Sequence, residues 1–595
     1  MIEDGVDPRN LLLFTFTKKA AEEIRERAAR IIGDRAKDIT ISTYHSFCAR
    51  MLRKYIHVLG IWDNNFTIYD DEDQNALIKE IVEKYDIDID DKKFFKACQH
   101  KISSWKENML NPAAAKAASY GESSQLASDA TIIYEYYEEE LRKRNALDFD
   151  DLICKMLLVL RRFPDVKAQI NRRYTYITAD ESQDSSPLDL ELIEHLGGDK
   201  MNICLIGDDY QAIYGFRGSN LGAFFDFVDK HHLKKFYLDR NYRSTQTIVD
   251  AAQSVVDNNK GQFEKHLFSK NEKGIPITLY VTEDQKEEAM RVTQIIKVLS
   301  KRGIPLNDIA VLYRMNYLSR RVEDSLINNA IPYRMLSGTP FYTRKEIKDV
   351  IAPFRFIINP MDSAGLERAL TRPKMGLGEK SIDKIMSCIY DNTDGIMDLD
   401  EALNRLSSCQ LKGKRKQSLE KFIDIIRHID KYRNSHSVHD TIFESIQVRD
   451  YFSFLEDEDE ESYPDRKCNV EELLNAAHDA SDLTDFVVNL SVDKTEDEEN
   501  DGADKVNLMT IHGSKGLEFR AVIVIGCNQG LIPAARSIKE GTVEEERRLF
   551  YVAMTRSKEF LFLTRYKKAF TYNEIRQQAP SCFLREIESA YIRKA

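Results

Sequence analysis

The sequence predicts an α/β protein with parallel sheets, in which two long helical stretches interrupt the alternation of strands and helices. Short apolar runs alternate with helical periods over much of the chain. Two of these runs, 174–179 and 203–206, end abruptly in acidic and polar residues. From about 65 to 145, and again from 341 to 500, the sequence is charged, helical and without strand signals. Since 595 residues exceed the roughly 250 to 300 that one core supports, several domains are expected.

The first strand and helix are predicted near the N-terminus. Residues 11–16 form an apolar run that predicts a buried strand, and Thr17 is placed to cap the helix that follows. A second short strand is predicted over 39–43, leading into a helix through Arg50 and Arg53. The first helix is predicted to carry four apolar residues on one face: Ala20, Ile24, Ala28 and Ile31.

Acidic residues follow the two abruptly ended runs. Asp180 and Glu181 come directly after 174–179, and the carboxyl end of a strand is where open α/β sheets bind ligands. Adjacent carboxylates there suit a magnesium ion and a base that activates water, the chemistry of nucleoside triphosphate hydrolysis. The segment 207–218 adds the amide of Gln211 and then aromatic and basic side chains on which nucleic-acid bases stack.

A second α/β unit is predicted later in the chain. Its strands are expected over 309–312, 506–510 and 522–525. The helical stretch inside this unit carries a glycine turn at 374–378, where backbone N–H groups before a helix suit a phosphate, so contact with a nucleic-acid duplex is a hypothesis for this turn.

Composition limits the classes of protein. The net charge of −12 argues against a dedicated nucleic-acid-binding domain, although a local basic groove would suffice for a motor. The nine cysteines show no metal-ligand spacing, so zinc and disulfides are not expected. Neither a membrane span nor a secretory pattern is recognisable, and the cytoplasm is the expected location. Four cysteines in apolar runs are predicted to be small core residues: Cys48, Cys154, Cys204 and Cys527.

Taken in order, several segments resemble the motifs of the UvrD/Rep-type superfamily-one DNA helicases. The segment 238–244 contains Asn241-Tyr242-Arg243-Ser244, and 544–556 is nearly the last motif of the family. Phe216 stands where the family has tryptophan, and Ser514 where it has alanine. The other segments that carry the resemblance are 11–32, 43–47, 180–184, 207–218, 309–316 and 506–519.

The resemblance implies two RecA-like motor domains that face one another across an ATP cleft, each interrupted by a mostly helical insertion. It also implies an ATP-dependent helicase that moves 3′ to 5′ on single-stranded DNA and unwinds duplexes in repair, recombination or replication. The implied divisions are a first domain of 1–64 and 146–243 with insertion 65–145, and a second domain of 244–340 and 501–595 with insertion 341–500.

The resemblance also assigns roles at the nucleotide, with ATP and Mg²⁺ as cofactors. Asp180 would hold the metal, and Glu181 would be the general base. Arg243 would bind the γ-phosphate, Tyr242 would stack on adenine, and Glu518 would accept a hydrogen bond from the sugar. The remaining assignments are Gln211 as a catalytic residue, Gly516 at the nucleotide and Arg556 as the arginine finger.

Single-stranded DNA and single/double-strand junctions are the implied partners. No protein partner is indicated, and self-association is left open. His512 and Lys515 would lie between nucleotide and DNA. The residues that the resemblance assigns to DNA are Phe16, Lys19, His45, Tyr214, Phe216, Arg217, Arg314, Asn316 and His512.

The family's first motif, the phosphate loop GxxxxGK[ST], has no match in the chain. Gly513-Ser514-Lys515-Gly516 has the wrong spacing, and Met1 falls about where the helix after that loop should end. Three hypotheses follow: a helicase with a truncated start, an ATPase-deficient DNA-binding or regulatory protein, and a split motor. Retention of the hydrolytic residues favours the first, and the coding sequence upstream of Met1 would decide. Those retained residues are Asp180, Glu181, Gln211, Arg243, Glu518 and Arg556.

Overall fold

The computed structural model divides the chain into two compact units, 1–237 and 238–595. Among the residues that it describes, no helix is long and apolar enough to cross a membrane. The described residues are 1–85, 87, 94–120, 125–198, 201–215, 218–336, 341–390, 397–460, 462–478, 480–492, 504–571 and 574–595.

The first unit contains a four-stranded parallel sheet in the order β2-β1-β5-β6. The strands predicted over 11–16 and 39–43 are both present but shorter, because the chain leaves the ladder to begin the helices that follow. The strands of this unit are β1 (Leu11–Phe14), β2 (Thr40–Ser42), β3 (Thr67–Tyr69), β4 (Ala146–Asp148), β5 (Tyr176–Ala179) and β6 (Ile203–Leu205).

Helix α1 begins as predicted, since the Thr17 side chain accepts a hydrogen bond from the Ala20 N–H. Its predicted apolar face is not buried in this unit: Ala21 is the buried residue, and Ile31 is 79% exposed. The helices of the first unit are α1 (Lys18–Ile32), α2 (Tyr44–Tyr55), α3 (Asp71–Lys84), α4 (Phe94–Glu107), α5 (Pro112–Ala118), α6 (Gln125–Lys143), α7 (Phe149–Arg162), α8 (Pro164–Arg173), α9 (Pro187–Gly197) and α10 (Leu221–Lys230).

The helical insertion of the first unit has its own apolar core, in which Ile102 and Trp105 of α4 pack with Ile133 and Tyr137 of α6. The absence of strands predicted for 65–145 is wrong. Strand β3 lies there and pairs in parallel with β4, which follows the insertion. Three residues are too few for a periodic pattern to show in the sequence.

Cys204 is a second correction. It was expected in the core but is exposed, because β6 is the last strand on its side of the described sheet and its outer face is uncovered within this unit. Cys48, Cys154 and Cys527 are buried, as predicted.

The second unit contains a larger sheet in the order β11-β12-β10-β13-β14-β9-β16, with every neighbouring pair parallel and β15 antiparallel on β14. The strand predicted over 506–510 is confirmed, and the one predicted over 522–525 begins earlier. The strands are β7 (Arg240–Asn241), β8 (Phe268–Ser269), β9 (Ile277–Asp284), β10 (Ile309–Tyr313), β11 (Tyr333–Met335), β12 (Val506–Thr510), β13 (Phe519–Val524), β14 (Ser557–Thr571), β15 (Glu574–Gln577) and β16 (Ile592–Lys594).

A helical insertion separates β11 from β12 and builds a core of its own around Phe354, Ile385 and Ile426. The helices of this unit are α11 (Gln246–Val256), α12 (Gln285–Lys301), α13 (Ser319–Asn328), α14 (Lys345–Ile358), α15 (Ser363–Thr371), α16 (Glu379–Tyr390), α17 (Leu399–Ser408), α18 (Lys414–Arg433), α19 (Val438–Val448), α20 (Tyr451–Glu458), α21 (Tyr463–His478), α22 (Leu483–Val492), α23 (Ala535–Glu540), α24 (Val543–Thr555) and α25 (Phe583–Glu586).

Candidate nucleotide and DNA site

Asp180 and Glu181 lie at the carboxyl end of β5, in the centre of the first unit's sheet. The Asp180 N–H donates to the Phe14 carbonyl at 2.9 Å, which continues the ladder one residue beyond the strand. Glu181 then turns into the left-handed region at φ 52°. Burial and the neighbouring charge of Glu181 raise the pKa of Asp180. A cation beside Asp180 would relieve this cost, so the pair fits a divalent metal.

A chain of hydrogen bonds joins this strand end to the next one. The buried Gln183 amide donates to Glu181 Oε2 at 2.6 Å, and its Oε1 accepts the Asp208 N–H at 3.1 Å. Asp208 Oδ2 in turn accepts from Gln211 Nε2 at 2.7 Å. Glu181, predicted to be the base, and Gln211, predicted to be catalytic, are therefore connected through Gln183 and Asp208.

Gly207 makes the close approach of these two segments possible. A Cβ at this position would stand 2.6 Å from Gln183 Oε1 and 3.2 Å from the Gln183 backbone nitrogen. Both distances are shorter than ordinary contacts, and the second is to backbone. The strand end after β6 therefore needs a residue without a side chain at 207.

In the second unit, Glu518 forms a cluster with two cations from distant parts of the chain. Its carboxylate receives Lys558 Nζ at 2.8 Å and Arg243 Nε at 2.7 Å. The hydrogen bond from Lys558, together with Arg243, lowers the pKa of Glu518 to about 2. Arg243 also donates to the Thr555 carbonyl at 3.3 Å. Three segments that the sequence analysis treated separately thus meet within this unit.

The backbone around Arg243 is held from both sides. Asn241 Oδ1 accepts the N–H groups of Arg243 and Ser244, each at 2.8 Å. The buried Ser244 hydroxyl donates to the Ser557 carbonyl at 2.7 Å. These bonds fix Arg243 beside the end of α24, so its guanidinium position is set by the fold.

Tyr242 presents a free aromatic face. Its side chain is 74% exposed, and the Arg240 guanidinium lies over the ring at 4.4 Å from the centroid. Exposed aromatic rings are costly to hydrate and suit stacking on a planar ligand. The position is compatible with the predicted role against adenine.

Arg556, the predicted arginine finger, is 1% exposed within its unit. Its Nε donates to the Val552 carbonyl at 3.1 Å and its Nη1 to the Leu517 carbonyl at 3.3 Å. The guanidinium would have to exchange carbonyl partners for phosphate oxygens to act on a nucleotide. Gly516, one residue before Leu517, has φ +85° and no atom near its missing Cβ.

Two aromatic residues assigned to DNA in the first unit stack on each other. The rings of Phe16 and Tyr214 lie 5.3 Å apart at 10°. Lys19 is exposed in the first turn of α1. His45 packs against the ring of Phe149 at 5.1 Å, and burial lowers its pKa. Two further residues assigned to DNA, Phe216 and Arg217, lie outside the described residues.

The DNA residues predicted in the second unit have protein partners. Arg314 donates through Nη2 and Nε to the Glu546 carboxylate, at 2.8 and 3.1 Å to Oε1. The Asn316 carbonyl accepts from Arg344 Nη2 at 3.0 Å. His512 begins a short 3₁₀ turn after β12. Arg314 and Asn316 follow β10 and His512 follows β12, so all three lie near the carboxyl ends of these strands.

Sequence reasoning assigned no role to Gln183, Gly207 or Lys558. Gln183 and Gly207 lie inside recognised segments, where a glutamine beside the acidic pair and a glycine directly after an apolar run were visible in the sequence. The structure adds that the Gln183 amide is buried and that no side chain fits at 207. Lys558 follows the last segment, and only the pairing of β13 with β14 places it near Glu518.

Two protein-family models together match most of the chain. Residues 1–232 match the UvrD/REP helicase N-terminal domain, and 236–568 match the UvrD-like helicase C-terminal domain. The chain is 34% identical to the ATP-dependent DNA helicase PcrA of Staphylococcus aureus over 99% of its own length and 81% of that protein. It is also 34% identical to PcrA of Bacillus subtilis, over 99% of the chain and 80% of that protein.

Proposed function

Because the chain belongs to the UvrD/Rep family of ATP-dependent DNA helicases, we propose that it moves 3′ to 5′ along single-stranded DNA and unwinds duplexes ahead of it. The observation that carries the proposal is the hydrogen-bonded chain from Glu181 through Gln183 and Asp208 to Gln211. It ties a candidate catalytic base to a candidate phosphate sensor at the edge of a parallel sheet, where nucleotides bind.

The proposed roles in the first unit follow from this geometry. Asp180, whose charge is disfavoured by burial, would hold Mg²⁺. Glu181 would accept the proton of the attacking water, because its carboxylate is oriented by Gln183. Gln211 would report the state of the phosphate to Asp208 through the bond that it already donates. ATP and Mg²⁺ supply the phosphoryl group and the charge neutralisation that hydrolysis needs.

In the second unit we assign Arg243 to the γ-phosphate, Glu518 to the sugar and Tyr242 to the base. Arg243 is bound to Glu518 through Nε, and its remaining donors suit a phosphate oxygen. Tyr242 is the exposed ring. Arg556 is assigned to the charge that builds on the transferred phosphate, which requires it to leave its carbonyl partners.

DNA binding is assigned to the stacked pair Phe16 and Tyr214 with the neighbouring Lys19. Aromatic faces hold bases without reading their sequence, and a lysine neutralises the phosphate beside them. The stack of the two rings on each other would open to admit a base or would present its outer face to one.

The first experiment tests whether ATP hydrolysis depends on a phosphate loop. The 595 residues contain no GxxxxGK[ST] segment, so this chain alone should hydrolyse ATP at little above background. With a phosphate-loop segment fused ahead of Met1, we expect DNA-stimulated hydrolysis and unwinding of 3′-tailed but not 5′-tailed duplexes. Robust hydrolysis by the unfused chain would mean that the nucleotide site is wrongly assigned.

The matched control is Glu181→Gln in the fused protein. The amide keeps the shape of the side chain but cannot accept a proton, so turnover should be lost while binding of ATP and DNA persists. Unwinding only of 5′-tailed duplexes would overturn the polarity. If the fused protein binds single strands but never hydrolyses ATP, the ATPase-deficient DNA-binding protein becomes the better account.

A further inference from the structure

The helical insertion of the second unit contains a cavity of about 320 Å³, which includes the start of the glycine turn at 374–378 but none of the residues assigned to the nucleotide or to single-stranded DNA. It opens between α18, the end of α19 and the segment that follows α15. Its volume is at the lower end of the range for small-molecule sites, roughly 300 to 1,000 Å³. The cavity therefore has room for a ligand with one or two rings and not for a folded partner.

The floor of this cavity is apolar. Phe422 and Ile426 of α18 are 2% and 0% exposed, and Ala369 of α15 is 1% exposed. Met375 and Ile425 are half-buried around them. An apolar group placed here leaves water, which favours binding by about 25 cal/mol for each Å² that is buried.

The rim is basic. Lys374, Lys421 and Arg449 line the cavity, against the single carboxylate of Asp450. Asp450 already accepts a hydrogen bond from the Ser453 hydroxyl at 2.7 Å. Within the described part of the chain, the three cations have no ion-pair partner. This excess of positive charge stands out in a chain with a net charge of −12.

Arg449 gives the rim a fixed donor. Its guanidinium donates to the Asp349 carbonyl at 3.3 Å and to the Arg372 carbonyl, both neutral acceptors. Burial lowers its pKa to about 10. The guanidinium donates to neutral carbonyls, and burial outweighs the attraction of Tyr451 and Asp349, so an anionic ligand would add a direct ion pair.

We propose that this cavity binds a small amphiphilic anion, in which a carboxylate or phosphate ester is attached to an aromatic or branched apolar group. The apolar part would lie on Phe422 and Ile426, and the anionic head would lie among Lys374, Lys421 and Arg449. The proposal is independent of ATP hydrolysis and of the residues assigned to single-stranded DNA, and it competes with the duplex contact predicted for the turn at 374–378.

The test uses the full chain and three indoles that differ only in the charge of the side chain. Isothermal titration calorimetry should show saturable 1:1 binding of indole-3-propionate. Its neutral amide and the cationic tryptamine should bind at least about tenfold more weakly, because they lose the charge-assisted bonds. Equal binding of all three, or no saturable binding of indole-3-propionate at millimolar concentration, would overturn the proposal.

Variants locate the site. Lys374→Gln with Lys421→Gln removes two exposed cations and should weaken indole-3-propionate about tenfold or more. Lys431→Gln, an exposed lysine on the same helix but outside the cavity, is the matched control and should change nothing. Ile425→Trp should fill the cavity and abolish binding, with circular dichroism and the melting temperature confirming the fold. Unchanged affinity in the double variant or in Ile425→Trp would refute the site.

A measurement with duplex DNA distinguishes the proposed ligand from nucleic acid, because Lys374 and Met375 of the glycine turn at 374–378 line the cavity. Indole-3-propionate affinity should be the same with and without saturating duplex. If duplex displaces the indole and loses affinity in the same double-lysine variant, the three cations belong to a duplex-binding surface and the proposal is wrong.

Discussion

Each unit contains a cluster of charged residues of similar types, but one cluster is buried and the other is partly exposed. In the first unit, Lys106 is 3% exposed and lies 2.6 to 2.9 Å from Asp148, Glu138 and Asp151. In the second, the Glu518 side chain is 44% exposed and bridges Arg243 and Lys558. The first cluster joins helices α4, α6 and α7 and has no access for a ligand. The second leaves its charged groups near the surface, where a ligand has access to them.

This difference in exposure distinguishes structural charges from candidate functional charges in this chain. Burial opposes the charge on Lys106, yet Asp148, Asp151 and Glu138 raise its pKa well above the usual value. Such a group is stable only while its partners remain. The Glu518 cluster contributes little to folding, because solvent screens partly exposed ion pairs.

The largest loss of stability is expected from Lys106→Met. Three buried carboxylates would lose their shared cation, leaving only Lys155 beside two of them, and the free energy of unfolding should fall by about 3 to 5 kcal/mol. Urea unfolding followed by circular dichroism measures it. Lys143→Met, whose cation pairs with Glu139 and Glu140 in contact with solvent, is the control and should cost far less. Similar losses in both variants would contradict the contrast.

Glu288 differs from the carboxylates around Lys106, because it is buried and has no cation partner among the described residues. It accepts from Thr564 Oγ1 at 2.6 Å and from the Gly526 N–H at 3.1 Å, and burial raises its pKa to about 7. Its folded pKa exceeds the ordinary 4.5, so stability should fall as pH rises from about 4.5 through 7. The loss should total about 3 kcal/mol.

The measurement is urea unfolding at pH 5 and pH 8 for the native chain and Glu288→Gln. The amide stays neutral, so the variant should lose most of this pH dependence and be the more stable of the two at pH 8. An identical pH dependence in both proteins would show that Glu288 is not the group responsible.

A smaller effect is expected from Gly207→Ala, which tests the hydrogen-bonded chain rather than a charge cluster. The new Cβ would press on Gln183 Oε1 and its backbone nitrogen, so the unit should lose about 1 to 3 kcal/mol. Gly261→Ala, which meets no atom within 4 Å, controls for the general effect of the substitution. In the fused protein, Gly207→Ala should also lower DNA-stimulated hydrolysis. If Gly207→Ala kept full stability and activity, a glycine would not be needed for the close approach of the two segments.

The smallest effect is expected for Glu518→Gln. The pKa of Glu518 is lowered to about 2, so its contribution is present above the ordinary 4.5 and is lost as pH falls from there through 2. Exposure limits that contribution to about 1 kcal/mol or less. Unfolding at pH 7 should therefore barely change, whereas ATP affinity of the fused protein should fall. A large loss of stability would make this cluster structural, like that of Lys106.

Much of the fold could be predicted from local patterns in the sequence. The Thr17 cap and the strand over 506–510 were predicted because a capping residue and an uninterrupted apolar run act over a few residues. Strand β3 was missed because three residues carry no period, and the exposure of Cys204 and Ile31 depends on which elements cover them.

For the candidate site, the segments were recognisable but their connections were not. Gln183 touches Glu181 and Asp208 only because β5 pairs with β6, and Lys558 reaches Glu518 only because β13 pairs with β14. Such contacts depend on sheet register, which no local pattern encodes. The burial of Arg556 is likewise a result of packing at the end of α24.

The parallel pairing of β3 with β4 limits how the first helical insertion can be exchanged or shortened. Antiparallel strands can be joined by a two-residue turn, but parallel strands need a crossover of about a dozen residues or more. Helices α3 to α6 provide that crossover between Tyr69 and Ala146. A different insertion could replace these helices if it joined the carboxyl end of β3 to the amino end of β4. A tight loop in its place would pull the two strands apart and would remove Lys106 together with α4, so the Asp148 carboxylate would lose its cation.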